Sequence, residues 1–386
     1  MQPSFLLFLA MLNRRTLRIK LMQSLFAYEQ CKEANYLLAQ DSVYLFFQPD
    51  LNSMKVQDKG MLKGQQAVAV KLFEKSFLGS AVSENSDPRI TQSVQEALAL
   101  HAKHTKKDFA FFRQNIALEV EKISTIYYAV LNLIPAFEAT AAQDKRISTK
   151  NFTSNPIVKA LNENPDLRRE TLRKGGGWDQ KMDLVRSWFR DCVKPNKEFQ
   201  AYILLPAPTP EDHAAFTKTL ARKIILGKTL INSYFEELDL WWAEDHEIVR
   251  SMTDKTLKSL SDSSTVEIQK LSLNWEDDKA FIEKLFLESI QLDASYHQLI
   301  ASHTRNWEVD RLPLTDRVIL QMALAEMIHF PNIPVKVSIN EYIELAKEYS
   351  TPKSRLFING ILDVLAKELV ETGKIKKSGR GLMDNK

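Results

Sequence analysis

The sequence predicts an all-α protein, and three observations carry this prediction. Gly and Pro are scarce, at 11 and 14 of 386 residues, whereas a turn-rich β fold needs many of both. Apolar residues recur three and four positions apart along most of the chain, which is the period of one helix face. Hydrophobic residues at 44% and charged residues at 26% are typical of a soluble globular protein. A chain of this length can build two or three domains.

The N-terminal part of the chain predicts long helices. An amphipathic pattern covers residues 59–80, and Asp87 followed by Pro88 is typical of a helix start ahead of one or two helices over 89–145. The first helix is indicated by apolar residues at steps of four and three, namely Leu17, Leu21, Leu25 and Tyr28. Residues 1–10 are apolar but too short to span a membrane, and we predict that they are an upstream extension with Met11 as the true start.

The middle of the chain predicts a boundary between domains. The helical pattern is loose from Thr149 to about Pro210, and within this stretch the glycine run 175–177 and the Pro-rich segment 206–210 both read as hinges. Thr209 and Pro210 are typical of a new helix start. We therefore place the predicted boundary at residue 210.

The C-terminal part has the most distinctive pattern. Residues 318–328 contain only two polar residues, Gln321 and Glu326, so this helix is predicted to lie in the middle of a bundle. Ser338 and Glu341 have the spacing of a capping box at a helix start. Gly360 lies inside the last predicted helix, which indicates that another helix crosses it within backbone contact. The basic segment 372–386 is predicted to be disordered.

Several classes of site are disfavoured by the sequence. Cys31 and Cys192 are isolated and form no CxxC pair, and we predict neither a metal site nor a cofactor. His101, His104 and Asp108 could share a helix face as metal ligands, but a solvated face is the simpler interpretation. The net charge is only +3, so a nucleic-acid site must be a local basic patch. Two patches qualify: one at the start of the first helix, and one formed by Arg168, Arg169, Arg173 and Lys174, which otherwise reads as solvated surface.

The segment after Asp277 resembles the NusB family. It contains Trp307, then DRLPLTDR with Arg311 and Asp316, then IPVKVSINEYIELAK and SRLFINGILD, and the opening LNRRTLRIKLMQSLFAY resembles the first helix of the family. The resemblance covers residues 11–30 and 277–370. It implies two packed helical sub-bundles with an additional helical insertion. The predicted division is 1–10 as the extension, 11–30 as the first helix, 31–210 as the insertion, 211–371 as the C-terminal domain and 372–386 as the tail.

The resemblance implies a non-enzymatic cytoplasmic factor in transcription antitermination or termination. Its implied partners are boxA-type single-stranded RNA of ribosomal RNA operons, a NusE-type ribosomal protein and the RNA polymerase elongation complex, with no membrane and with self-association possible. The RNA-binding residues would be Arg14, Arg15, Arg18 and Lys20. The protein partner would contact Lys353, Arg355 and Phe357. Structural roles would fall to Asp316, Ser338, Glu341, Asn359 and Gly360.

Alternatives remain open at this point. The basic helix start could be a solvated surface, and Phe357 could simply pack in the core. Pro352 and Lys353 stand where compact family members have an acidic stretch, which is a departure at the implied partner contact. Two rival functions are a helical scaffold that binds only proteins, and an accessory RNA-binding domain related to ribosomal RNA methyltransferases. The second would need catalytic cysteines, for which the sequence has no motif.

Overall fold

The computed structural model describes residues 12–54, 56–79, 87–262, 266–292, 299–300 and 312–385, and within them it contains helices and no strand. The all-α prediction is confirmed. No helix among these residues is long and apolar enough to cross a membrane. The proposed extension 1–10, Trp307 and Arg311 lie outside the described residues.

The chain forms two compact units. The first comprises residues 1–17 and 117–279, and the second comprises residues 18–116 and 280–386. Residue 210 therefore lies inside the first unit, and the division differs from the predicted one. The reason is that the helices on both sides of the Pro-rich segment pack together, as Asn155 Nδ2 donates to the Thr217 hydroxyl at 3.1 Å and Tyr202 contacts His213.

Three long helices each have residues in both units, and we number all helices in chain order. They are α1 (Arg14–Phe46), α3 (Pro88–Gln143) and α12 (Trp275–Gln291). The remaining helices of the first unit are α4 (Lys150–Thr153), α5 (Pro156–Glu163), α6 (Pro165–Lys174), α7 (Met182–Trp188), α8 (Lys197–Ile203), α9 (Pro210–Thr219), α10 (Thr229–Leu238) and α11 (Trp242–Asp262). A 3₁₀ turn precedes α7, and π-helical turns follow α7 and α9 (Asp179–Lys181, Phe189–Val193 and Leu220–Ile225).

The core of the first unit forms around the second half of α3, whose residues are buried on several faces. Tyr127 is fully buried, and its hydroxyl lies at 2.5 Å from the Thr256 hydroxyl and accepts the amide of Gln269 at 3.0 Å. Burial of the Tyr127 hydroxyl is therefore compensated by hydrogen bonds to two separate segments.

Helix α9 begins where the sequence predicts a helix start, and Thr209 and Asp212 form a capping box there.

The glycine run is not a hinge. Gly176 has a φ of +95°, and a Cβ there would lie 2.8 Å from the carbonyl oxygen of Thr125 on α3. Its carbonyl accepts a hydrogen bond from Asn132 Nδ2 at 3.1 Å. A residue without a side chain is needed because the backbone crosses α3 in direct contact in a conformation that glycine tolerates best.

The second unit contains α2 (Lys59–Phe77), α13 (Leu314–His329), α14 (Val335–Tyr349) and α15 (Pro352–Glu371), together with its parts of α1, α3 and α12. Every residue of α13 from Val318 to Met327 is buried, so the predicted central helix is confirmed. Helices α13, α14 and α15 pack against one another. Further along α1, a separate cluster of buried apolar residues joins α1, α2 and the first part of α3.

Two local predictions in the second unit, the capping box of Ser338 with Glu341 and the helix crossing at Gly360, are wrong. Helix α14 begins at Val335, so Ser338 lies inside its first turns, and its hydroxyl donates to Glu326 Oε1 at 2.7 Å instead of capping the helix. Gly360 is exposed, and a Cβ there would meet nothing within 4 Å, so no helix crosses it among the described residues. The buried carboxylate of Glu326 explains the first difference, because it needs donors more than an exposed helix end does.

The basic tail is also ordered where the structure describes it. Gly373, at φ +68°, ends α15, and the Ile375 amide donates back to the Leu369 carbonyl at 2.9 Å. Ile375 is buried, and the Ser378 amide donates to the Pro331 carbonyl at 3.0 Å. One apolar residue and a few backbone bonds therefore hold a segment whose composition predicts disorder.

Candidate nucleic-acid interface

The start of α1 carries the basic residues that the sequence singles out. Asn13 caps the helix, since its side-chain oxygen accepts the Thr16 amide at 2.8 Å. Arg15 is exposed. The Arg14 side chain is 38% exposed and donates to Asp277 at 2.8 Å, with Asp278 at 3.9 Å. Two cationic side chains are thus presented at this helix end.

Arg18 and Lys20 do not belong to this surface, because both are buried, at 3% and 2% exposure. The Arg18 guanidinium donates two bonds of 2.7 Å to the two oxygens of Glu326 and lies 3.7 Å from Glu341. The expected RNA contact of Arg18 is therefore wrong. A phosphate could reach its donors only by displacing a buried carboxylate.

Glu326 is the centre of a buried polar cluster. Its carboxylate accepts the Arg18 fork, the Ser338 hydroxyl at 2.7 Å and the Tyr342 hydroxyl at 3.0 Å. Burial alone would lower the pKa of Arg18, but the hydrogen bonds and charge of Glu326 outweigh it and raise that pKa. The pKa of Tyr342 is raised by burial and by the same carboxylate. The cluster therefore keeps Arg18 charged and Tyr342 neutral, and it fixes α1, α13 and α14 together.

One signal in the sequence could have revealed this cluster. Glu326 is the single charged residue in an otherwise apolar buried stretch, and a buried carboxylate requires a cation. Helical periodicity could not find the cation, because Arg18 lies 308 positions away in the sequence. Its place seven residues before Leu25, on the leucine side of the helix, indicates burial but not the partner.

The implied protein-binding residues lie at the start of α15. Thr351 caps this helix, with Pro352 at its first position. Lys353 is exposed, while Arg355 and Phe357 are partly buried. An exposed apolar strip runs beside them, with Leu356 at 67% and Val364 at 50% exposure. Gly360 lies between these two residues on the same helix face.

The other residues singled out as structural have defined surroundings. Asp316 is buried and accepts the Ser350 hydroxyl just ahead of α15. Asn359 is partly buried on α15.

Two of the residues considered as metal ligands have other contacts. Asp108 accepts a hydrogen bond from Asn35 at 2.7 Å, and His101 packs edge-on against Phe77. The described residues contain no group of His, Cys, Asp and Glu that could hold a metal ion.

Neither cysteine has the environment of a nucleophile. Cys192 is buried and Cys31 is partly buried. Burial raises the pKa of both thiols. Because the thiolate is the reactive form, both surroundings disfavour cysteine catalysis at neutral pH.

Comparison with known sequences identifies the family. The sequence profile of the NusB family matches residues 244–367. The transcription antitermination protein NusB of Bacillus licheniformis is 37% identical over 125 residues, which cover 31% of this chain and 97% of that protein. The chain belongs to the NusB family.

Two relatives from other bacteria match in a similar way. The transcription antitermination protein NusB of Chloroherpeton thalassium is 40% identical over 139 residues, or 36% of this chain and 63% of that protein. That of Salinibacter ruber is 42% identical over 103 residues, or 27% of this chain and 64% of that protein. The chain thus spans slightly less than two thirds of these two relatives. No solved structure gives a significant match.

Proposed function

We propose that this chain is a non-enzymatic, RNA-binding transcription antitermination factor. Three relatives that are 37–42% identical carry the name transcription antitermination protein. The observation that carries the RNA-binding part is the pair Arg14 and Arg15 at an exposed helix end. Arginine suits this contact because its planar fork can hold a phosphate with two hydrogen bonds and stack on an unpaired base.

The proposed RNA is the boxA-type single-stranded leader of ribosomal RNA operons, bound together with a NusE-type ribosomal protein on the elongating RNA polymerase. Arg14 and Arg15 would both contact the RNA, and a phosphate must compete with Asp277 and Asp278 for the Arg14 guanidinium. Lys353, Arg355 and Phe357 at the start of α15 would face the ribosomal protein, with Leu356 adding apolar area.

Fluorescence anisotropy with a labelled boxA-type RNA tests the proposal. The variant Arg14→Gln/Arg15→Gln is compared with the wild type and with Lys106→Gln/Lys107→Gln, which removes two adjacent exposed cations from α3. We expect salt-sensitive binding that weakens at least about tenfold in the first variant and not in the control. Adding the ribosomal protein should tighten binding, and Phe357→Ala should reduce that gain.

A protein-only scaffold is the second candidate function. The exposed apolar strip with Leu356 and Val364 favours it, because such strips on helices are typical of protein interfaces. It would replace the first proposal if the wild type bound the ribosomal protein but no RNA at any salt concentration. Equal losses in the arginine and lysine variants would remove the assignment to the start of α1.

A further inference from the structure

The first unit contains a groove that the proposed function does not use. Its volume is about 260 Å³. Its walls come from α3, from α6 and from the segment that leads into α12. Its lining includes the basic and aromatic side chains of Tyr128, Arg169, Arg173, Lys174, Lys270 and Trp275. Residues 121–174 of the lining precede the region that matches the family profile, whereas residues 268–275 lie inside it.

The charges in this groove favour an anionic ligand. Four cations line it with three carboxylates, and three of the cations form ion pairs of 2.9 to 4.0 Å within the lining. Lys270 is exposed and lies outside these three pairs. Arg169 and Arg173 have 66% exposed side chains, and exposed ion pairs contribute little, so a phosphate can replace the carboxylates at low cost.

Aromatic rings accompany these cations. Trp275 is partly buried as the first residue of α12, and Tyr128 is buried in the wall from α3. Proteins that bind single-stranded nucleic acid combine a basic groove along the backbone with aromatic faces on which bases stack. The lining of this groove has both components within one compact pocket.

The groove also lies beside the start of α1. The Leu12 amide donates to the carbonyl oxygen of Leu271 at 2.9 Å, and Leu271 lines the groove. Arg14 donates to Asp277, two residues beyond Trp275. These two contacts bring the start of α1 close to the segment that carries Trp275.

We propose that this groove is a second RNA subsite, which takes a single-stranded nucleotide that flanks the segment held at the start of α1. The phosphate lies on Arg169, Arg173 and Lys270, and the base stacks on Trp275. The inference rests on the proposed RNA binding and extends it to a site that the matched family region cannot build alone. A free mononucleotide presents the same phosphate and base, so the experiment must separate the two ligands.

The test measures anisotropy with two RNAs, the boxA-type segment alone and the same segment extended by four nucleotides at either end. The groove variant is Arg169→Gln/Arg173→Gln/Lys270→Gln. The control is Arg186→Gln/Arg190→Gln/Lys197→Gln, which removes two paired arginines and one exposed lysine of the same unit outside the groove. Thermal unfolding checks that both variants keep the wild-type fold.

We expect one extended RNA to bind the wild type at least about tenfold more tightly than the short RNA, with a steeper salt dependence. The groove variant should lose this gain and keep the affinity for the short RNA, while the control keeps both. A 4-thiouridine in the extension should crosslink to the peptide that contains Trp275.

Other outcomes overturn the inference. If the extended RNA gains nothing, or if both variants lose the gain equally, the groove is not an RNA subsite. If adenosine or uridine monophosphate prevents the crosslink to the peptide that contains Trp275, while the extension adds no affinity, the groove binds free nucleotides instead. Failure of the short RNA to bind would refute the proposed function itself, which separates the two results.

Discussion

At the scale of single residues, Arg18 shows how burial turns a basic side chain into a structural one. Its fork is held by Glu326, and its guanidinium carbon lies 5.5 Å from the centre of the Phe281 ring. Arg14 and Asp277 also form an arginine–carboxylate pair, but this pair is exposed to water. Removal of Arg18 leaves a buried carboxylate without a cation, whereas removal of Arg14 leaves an exposed one.

Arg18→Met is therefore expected to lower the free energy of unfolding by about 3 to 5 kcal/mol, because it leaves the buried Glu326 carboxylate without a cation. Arg14→Met should cost at most about 1 kcal/mol. Urea unfolding followed by circular dichroism measures both. Arg18→Met/Glu326→Gln should recover part of the loss, since a neutral amide still accepts from Ser338 and Tyr342. Equal costs for the two single variants would contradict the structural role of Arg18.

His213 supplies a pH-dependent term in the first unit. It is buried, and its Nδ1 lies 2.6 Å from the Tyr202 hydroxyl. Burial lowers the pKa of its imidazole below the ordinary value. Between the lowered pKa and the unfolded value of about 6.5, the unfolded chain binds a proton that the folded chain does not. The contribution to stability is thus complete above about pH 6.5 and is lost as the pH falls.

We expect His213→Gln to flatten the decline of the unfolding free energy below about pH 6.5 without removing it, because burial also lowers the pKa of His101. Glutamine does not titrate and can still bond to Tyr202. Urea titrations at a series of pH values provide the measurement. A decline as steep in the variant as in the wild type would show that His213 does not contribute.

At the scale of elements, the sequence predicts helices well and their contacts less well. The burial of α13 follows from its own composition, since a helix that is apolar nearly all round has no face for water. Gly360 lacks the close helix contact that the sequence predicts, and the glycine run 175–177 packs against α3 instead of forming the predicted hinge. The effect of a glycine depends on what lies against its backbone, and that comes from segments distant in the sequence.

The two glycines Gly360 and Gly176 therefore give opposite predictions. Gly360→Ala should stabilise the protein by about 1 kcal/mol, because the site is open and alanine is the better helix former. Gly176→Ala should destabilise it, because φ is +95° and the added Cβ would lie 2.8 Å from a backbone oxygen. Thermal unfolding of the two variants tests both signs. Stabilisation by both substitutions would show that the glycine run does not pack against α3.

At the scale of the whole molecule, the second unit is built from residues far apart in the sequence. Tyr28 of α1 lies 6.4 Å, centre to centre, from Phe286 of α12, and Arg18 of α1 neutralises Glu326 of α13. The region that matches the family profile, 244–367, contains neither Tyr28 nor Arg18. The sequence resemblance includes segments near both ends of the chain, but the pair of Arg18 and Glu326 that joins these segments is visible only in the structure.

A fragment of residues 244–386 should therefore fail to fold by itself, although it contains the whole matched region. It would bury Glu326 without a cation, at a cost of several kcal/mol, and it would leave Phe286 of α12 without the ring of Tyr28 of α1. Circular dichroism should show low helicity for the fragment. A peptide of residues 12–46 added in trans should restore part of it, whereas the same peptide with Arg18→Met should not. A stably helical fragment without the peptide would mean that α13 can bury Glu326 by another arrangement, and that α1 contributes to RNA binding more than to the fold.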